Sequence, residues 1–120
     1  MRMITRFGLL ALVLACAACG AKPAPQASKP ADPLNDIARQ YVLLSLEIGT
    51  HEDGYIDAYY GPAEWKTQAE ANPRDLAALA QAVDALDASL MAVDVSGREI
   101  MVKRRAKFLH AQLNAARTRL

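Results

Sequence analysis

The residue types able to carry chemistry are few in this chain: two cysteines, two histidines and thirteen carboxylates in 120 residues. The cysteines stand as Cys16-Ala17-Ala18-Cys19, the spacing of a dithiol redox pair. Such a pair needs a folded βαβ setting that lowers the thiol pKa, and this one closes a hydrophobic stretch instead, so redox chemistry is set aside. His51-Glu52 opens like the zinc-binding pattern His-Glu-x-x-His, whose two imidazoles, one helical turn apart, grip the metal from one face. Four residues after His51 comes Tyr55, the intervening Gly54 disfavours a helix, and only His110 offers a second imidazole. No serine, histidine and acid set or paired-carboxylate pocket can be assembled either, because the remaining acids are scattered along solvated helix faces. The residues therefore assign this chain no catalytic group, no metal ligand and no cofactor.

One segment gathers unusual residues. From Thr50 to Trp65 lie three of the four tyrosines and the only tryptophan, among Asp53, Gly54, Asp57, Gly61 and Pro62. Aspartate, glycine and proline at this density predict a structured loop with a short helix from about Pro62, its rings anchored on the neighbouring helices. The functional alternative is a carbohydrate or peptide contact surface built from Tyr59, Tyr60 and Trp65, with Asp53 and Asp57 as polar partners.

At the start of the chain Arg2 and Arg6 precede an unbroken apolar run from Phe7 to Ala15, followed at once by small residues and cysteine. That is the layout of an export signal, and the run is too short to span a bilayer. Val13-Leu14-Ala15-Cys16-Ala17-Ala18-Cys19-Gly20 resembles the lipobox of bacterial lipoproteins, where a cysteine preceded by small residues is diacylated, becomes the new N-terminus and is acylated again. Cys19, with Ala17-Ala18 before it and Gly20 after it, is the favoured lipidation site; Cys16, with Val13 at the position where an apolar residue is usual, is the alternative. The resemblance implies a chain held on the periplasmic side of a bacterial membrane by its N-terminal acyl chains. Gly20 in place of aspartate implies the outer membrane. Several acyl chains on one residue anchor far more firmly than a single one.

The elements behind the leader follow from composition. Gly20 to Asp32 contains Pro23, Pro25 and Pro30 among alanine, serine and lysine, a tether that cannot bury a core and reaches up to roughly 40 Å. Asp32-Pro33 predicts a helix start, an N-cap followed by proline, with Leu34, Ile37, Tyr41, Leu44 and Ile48 forming one apolar stripe up to Gly49. Val42, Leu43 and Leu46 widen the stripe, so this helix expects neighbours on more than one side and, if left uncovered, self-association. Asn72-Pro73 predicts a second long helix with a seam of Leu76, Leu79, Val83, Leu86 and Leu90. Ser96 with Glu99 predicts a capping box for a third, with a seam of Val102, Ala106, Leu109, Leu113, Ala116 and Leu120. The two pair as an antiparallel hairpin.

Charge follows the same division. From Ala31 to Val95 there are three basic residues against twelve acidic; from Ser96 to Leu120 there are seven against one. A basic tail could meet nucleic acid or anionic headgroups, but no aromatic ladder or glycine loop accompanies it, and the expected export argues against nucleic acid. The expectation is internal complementarity, with Asp75, Asp84 and Asp87 on one arm of the hairpin facing Arg104, Arg105 and Lys107 on the other.

The expected architecture is thus all-α, a small helical bundle of one helix, an aromatic loop with a short helix, and an antiparallel hairpin. It divides as signal peptide 1–18, lipidated cysteine and Pro/Ala-rich tether 19–32, and helical domain 33–120. Within it the pattern Gly-x-His-x-x-x-Tyr-Ile-Asp-Ala-Tyr-Tyr-Gly-Pro-x-Glu-Trp (Gly49 to Trp65), followed later by Lys107-Phe108-Leu109 and Gln112-Leu113, resembles the N-terminal region of large uncharacterised bacterial proteins that are predicted zinc metallopeptidases. The resemblance spans about residues 38–120, and its most specific part is Asp57 to Pro62. It implies a mostly helical fold whose catalytic His-Glu-x-x-Pro-Gly-His-His segment lies far downstream, with zinc expected only in full-length relatives. None of those ligands falls on a residue of this chain, which is therefore expected to be non-catalytic and truncated at its C-terminus, the last seam residue Leu120 being uncapped. The rival expectation is a complete small lipoprotein that holds an unidentified periplasmic protein or glycan through the aromatic loop or the basic last helix.

Overall fold

A computed structural model describes residues 32–120; the expected signal peptide, both candidate cysteines and almost all of the tether lie outside them. Among the described residues the chain is all-helical: α1 Pro33–Ile48, α2 Ala63–Ala71, α3 Leu76–Met91 and α4 Ile100–Arg119.

α1 starts where its sequence says it should. Asp32 is extended at the N-cap, its carboxylate accepts the Leu34 N–H at 3.2 Å, and Pro33 opens the helix at a position that needs no N–H. That backbone hydrogen bond, with Arg98 at 3.0 Å, holds the Asp32 carboxyl below its ordinary range. The helix stops at Gly49 in right-handed geometry (φ −60), so the stop owes nothing to glycine's left-handed freedom. Gly54 is where that freedom is used, at φ +76 in the following loop.

Two expected starts are corrected. α3 is capped by Asp75, whose carboxylate accepts the Ala78 N–H at 2.7 Å, rather than by Asn72, so the helix begins at Leu76. Leu76 consequently sits in the first turn, 46% exposed, outside the buried seam of Leu79, Val83, Leu86 and Leu90. At α4 the capping box does not form. Asp94 accepts the Ser96 N–H at 2.9 Å, bending the turn locally, and Glu99 itself is the extended residue before Ile100.

Leu34, Ile37, Leu44 and Ile48 of α1, the α3 seam, and Leu109, Leu113 and Ala116 of α4 form one core. Side-chain pairs fix the directions. Asp87 meets His110 and Asp84 meets Arg117, so α3 and α4 are antiparallel; Asn35 meets Arg105 and Tyr41 meets Gln112, so α1 runs parallel to α4. α2 packs against α1 alone among the helices and contributes only Ala69 as a buried side chain. α1 is thus covered by α2, α3 and α4, as its broad apolar stripe requires, and it carries none of the exposed large hydrophobic side chains. The self-association expected of an uncovered α1 loses its cause.

The expected charge pairing is realised by different residues. Asp84 and Asp87 do face α4, but they meet Arg117 and His110; Arg105 reaches Asn35, and Arg104 and Lys107 make no ion pair among the described residues. Asp75 is occupied as a cap. The bundle therefore has two distinct ends. At one, the α1 N-terminus joins the α4 N-terminus through Asp32 and Arg98; at the other, the segment after α1 meets the end of α4 through Glu52 and Arg119. About 24 Å of helix separates them.

Candidate functional site

The segment between α1 and α2 is held at the far end of the bundle by a clamp. Glu47, in the last turn of α1, accepts Arg74 Nε at 2.8 Å, Arg74 Nη2 at 2.7 Å and the Arg74 backbone N–H at 3.3 Å. The guanidinium hydrogen bonds hold the Glu47 carboxyl below the usual range and push Arg74 further up. His51 Nε2 donates to the Arg74 carbonyl at 2.7 Å. The histidine that begins like a zinc ligand is thus a latch between the loop and the approach to α3. His110 lies on another face, its Nδ1 donating to Asp87 at 2.7 Å and its Nε2 3.1 Å from the Asn114 amide. Among the described residues no three His, Cys, Asp or Glu side chains are grouped as a metal site needs.

Beside the clamp lies an open groove of about 460 Å³, lined by the loop and by one face of α2. Asp53, Asp57 and Tyr59 line it together with Glu52, Lys66 and Glu70. Tyr59 is half-buried, and its hydroxyl donates to the Pro62 carbonyl at 3.1 Å. Loss of water around the ring and the Glu64 carboxylate raise its phenol above the ordinary value. Gly61 leaves room for the Tyr59 ring in this position, since a Cβ there would overlap the ring and push it aside. Burial also raises the phenol of Tyr55, which packs against the core and anchors the loop from beneath.

Of the five residues singled out as a contact surface, the fold brings Asp53, Asp57 and Tyr59 to one groove and separates the other two. Tyr60 is 95% exposed and does not line it. Trp65 faces α1, where the Arg39 guanidinium lies 5.3 Å from the ring centroid. Cys19 and Cys16 lie outside the described residues.

The sequence alone does not mark Glu52, Lys66 and Glu70 as groove residues, nor Glu47 and Arg74 as a clamp. A signal for part of this did exist. Arg39, Lys66 and Arg74 are the three bases in the acidic stretch, and each finds a partner: Trp65, Glu70 and Glu47 respectively. Glu52 is already paired with Arg119 and Glu70 with Lys66, so among the described residues Asp53 and Asp57 are the groove's carboxylates without an ion pair, and what the groove can do chemically is offer acceptors, with an aromatic ring at its edge, to a cationic or hydroxyl-rich ligand. Every buried side-chain nitrogen or oxygen among the described residues already has a hydrogen-bond partner.

No protein-family model, curated protein or solved structure matches this chain.

Proposed function

We propose that this chain is a membrane-anchored bacterial lipoprotein, acylated at Cys19, whose helical domain is the non-catalytic N-terminal portion of a metallopeptidase-like protein. The observation that carries the anchor is the run from Arg2 to Gly20: a basic start, a short apolar stretch, then small residues around cysteine. Anchoring suits the domain's polarity. The described chain begins at Asp32 on one end of the bundle, and the groove lies at the other, so a tether of up to roughly 40 Å presents the groove away from the lipid. Incorporation of labelled palmitate into the expressed chain, lost in Cys19→Ser and kept in Cys16→Ser, is the expected result. Loss only in Cys16→Ser moves the site to Cys16, and no labelling in the wild type removes the anchor.

The metallopeptidase-like part rests on the resemblance of Gly49 to Trp65. It is tested by reading the genomic frame past codon 120 for a His-Glu-x-x-Pro-Gly-His-His segment; unrelated sequence there removes it.

A second reading, a periplasmic interaction module, is favoured by the groove itself, which places Asp53, Asp57 and Tyr59 together. Adding soluble peptidoglycan fragments to the isotope-labelled chain should then move amide resonances of Gly49 to Tyr59 and of Lys66 to Glu70. Shifts elsewhere, or none, would discard it.

A further inference from the structure

Among the described residues, four of the six exposed large hydrophobic side chains gather near the Asp32 end of the bundle: Met91 at the end of α3, and Ile100, Met101 and Phe108 in the first half of α4. All four are at least 60% exposed, whereas Leu76, at the other end of α3, is 46% exposed. Interleaved with them on α4 are Lys103, Arg104 and Lys107, and Met91, Lys103 and Lys107 line one shallow hollow. Among the described residues none of these three bases makes an ion pair. All thirteen acids of the chain lie from Asp32 to Glu99, so no acid outside the described residues is left to pair with them. Asp94 and Glu99, in the turn before α4, are the nearest acids along the chain, and Asp94 is already bonded to the Ser96 N–H. From Ile100 to Phe108 there are four bases and no acid.

Bases flanking exposed Ile, Met and Phe on one helix are what an interfacial helix offers an anionic membrane: the charges meet headgroup phosphates while the apolar side chains enter the acyl boundary. The location agrees. Arg98, just before α4, pairs with Asp32, so the tether reaches the bundle beside this surface, and Lys22 and Lys29 in the tether sequence add charge of the same sign. We propose that the face formed by Met91 and the Ile100–Phe108 stretch of α4 seats the domain on an anionic phospholipid surface. The orientation rests on the lipid anchor proposed above; the chemistry of the surface does not.

The test uses the chain from residue 19 with Cys19→Ser, which has no acyl group, co-sedimented with vesicles of phosphatidylcholine alone or with an equal part of phosphatidylglycerol. Binding is expected only to the phosphatidylglycerol vesicles, and it weakens as salt is raised to about 0.5 M. Lys103→Gln with Lys107→Gln should lower partitioning roughly 25-fold, about fivefold per charge, whereas Lys66→Gln at the far end changes nothing. A fluorophore on Phe108→Cys should shift to the blue on these vesicles, and one on Thr67→Cys should not. No binding to anionic vesicles by a helical chain overturns the inference, as does binding indifferent to salt and to the lysine pair. Failure here with acylation of Cys19 intact leaves the anchor standing; vesicle binding by a chain that is never acylated keeps this surface and removes the anchor.

Discussion

Replacing Glu47 by glutamine removes the charge from the clamp while keeping its shape. Glu47 accepts three hydrogen bonds from Arg74 and its side chain is only 16% exposed, although Arg74 is 44% exposed and partly screened. Charged hydrogen bonds contribute about 1.5–3 kcal/mol when protected, and solvent-exposed ion pairs about 0.2–1. A half-screened pair with one carboxylate oxygen still present after substitution lies between, so Glu47→Gln should cost about 1–2 kcal/mol. For a domain of this size that lowers Tm by about 4–8 °C per kcal/mol. The pH dependence carries a second constraint. Glu47 binds protons less readily folded than unfolded, so its contribution is complete above the unfolded value of about 4.3 and is lost as pH falls through the lower folded one. Thermal melts followed by circular dichroism should show a clear gap between wild type and variant at neutral pH that narrows toward about pH 3. A gap of the same size at both pH values, or none at neutral pH, would contradict the clamp.

Other outcomes follow from particular contacts. Asp75→Ala should cost about 1 kcal/mol through loss of the Ala78 cap, whereas Asn72→Ala should stay within a few tenths, both read from urea midpoints; the reverse order would restore the start at Asn72. Leu113→Ala, at a fully buried position where α4 meets the core, should destabilise by about 3–4 kcal/mol in the same assay, and a cost under about 1 would mean the core is misplaced. Gly61→Ala should drive the Tyr59 ring from its place, and a spectrophotometric titration should then show the raised Tyr59 phenol move back toward its ordinary value; an unchanged titration would place the ring elsewhere.

Much of the fold was legible because its signals are local or periodic. Asp32-Pro33 names a helix start in two residues, and the seams of Leu79 to Leu90 and Leu109 to Ala116 carry their own spacing. The sequence misleads where two polar residues compete for the same backbone groups. Asn72 and Asp75 both suit an N-cap, and only the geometry after Pro73 decides for Asp75. Ser96 and Glu99 fit a capping box, but Asp94, two residues before Ser96, captures its N–H first. Long-range pairs were invisible for another reason. Glu47 and Arg74 are far apart in sequence, as are Arg39 and Trp65, and they meet only because α2 lies along α1. Asp53, Asp57 and Tyr59 could be grouped from sequence since they share one short loop, whereas Trp65 left that group once α2 turned its ring toward α1. Charge complementarity was right in kind, yet which bases stay unpaired depends on the rotation of α4, which composition does not specify.

The anchor is the claim on which the proposed function depends, and the mass of the N-terminal peptide of the chain recovered from bacterial membranes tests it most directly. That peptide should begin at Cys19 and carry three acyl chains. A peptide that retains Arg2 to Cys19, or one cleaved elsewhere and bearing no lipid, would contradict it.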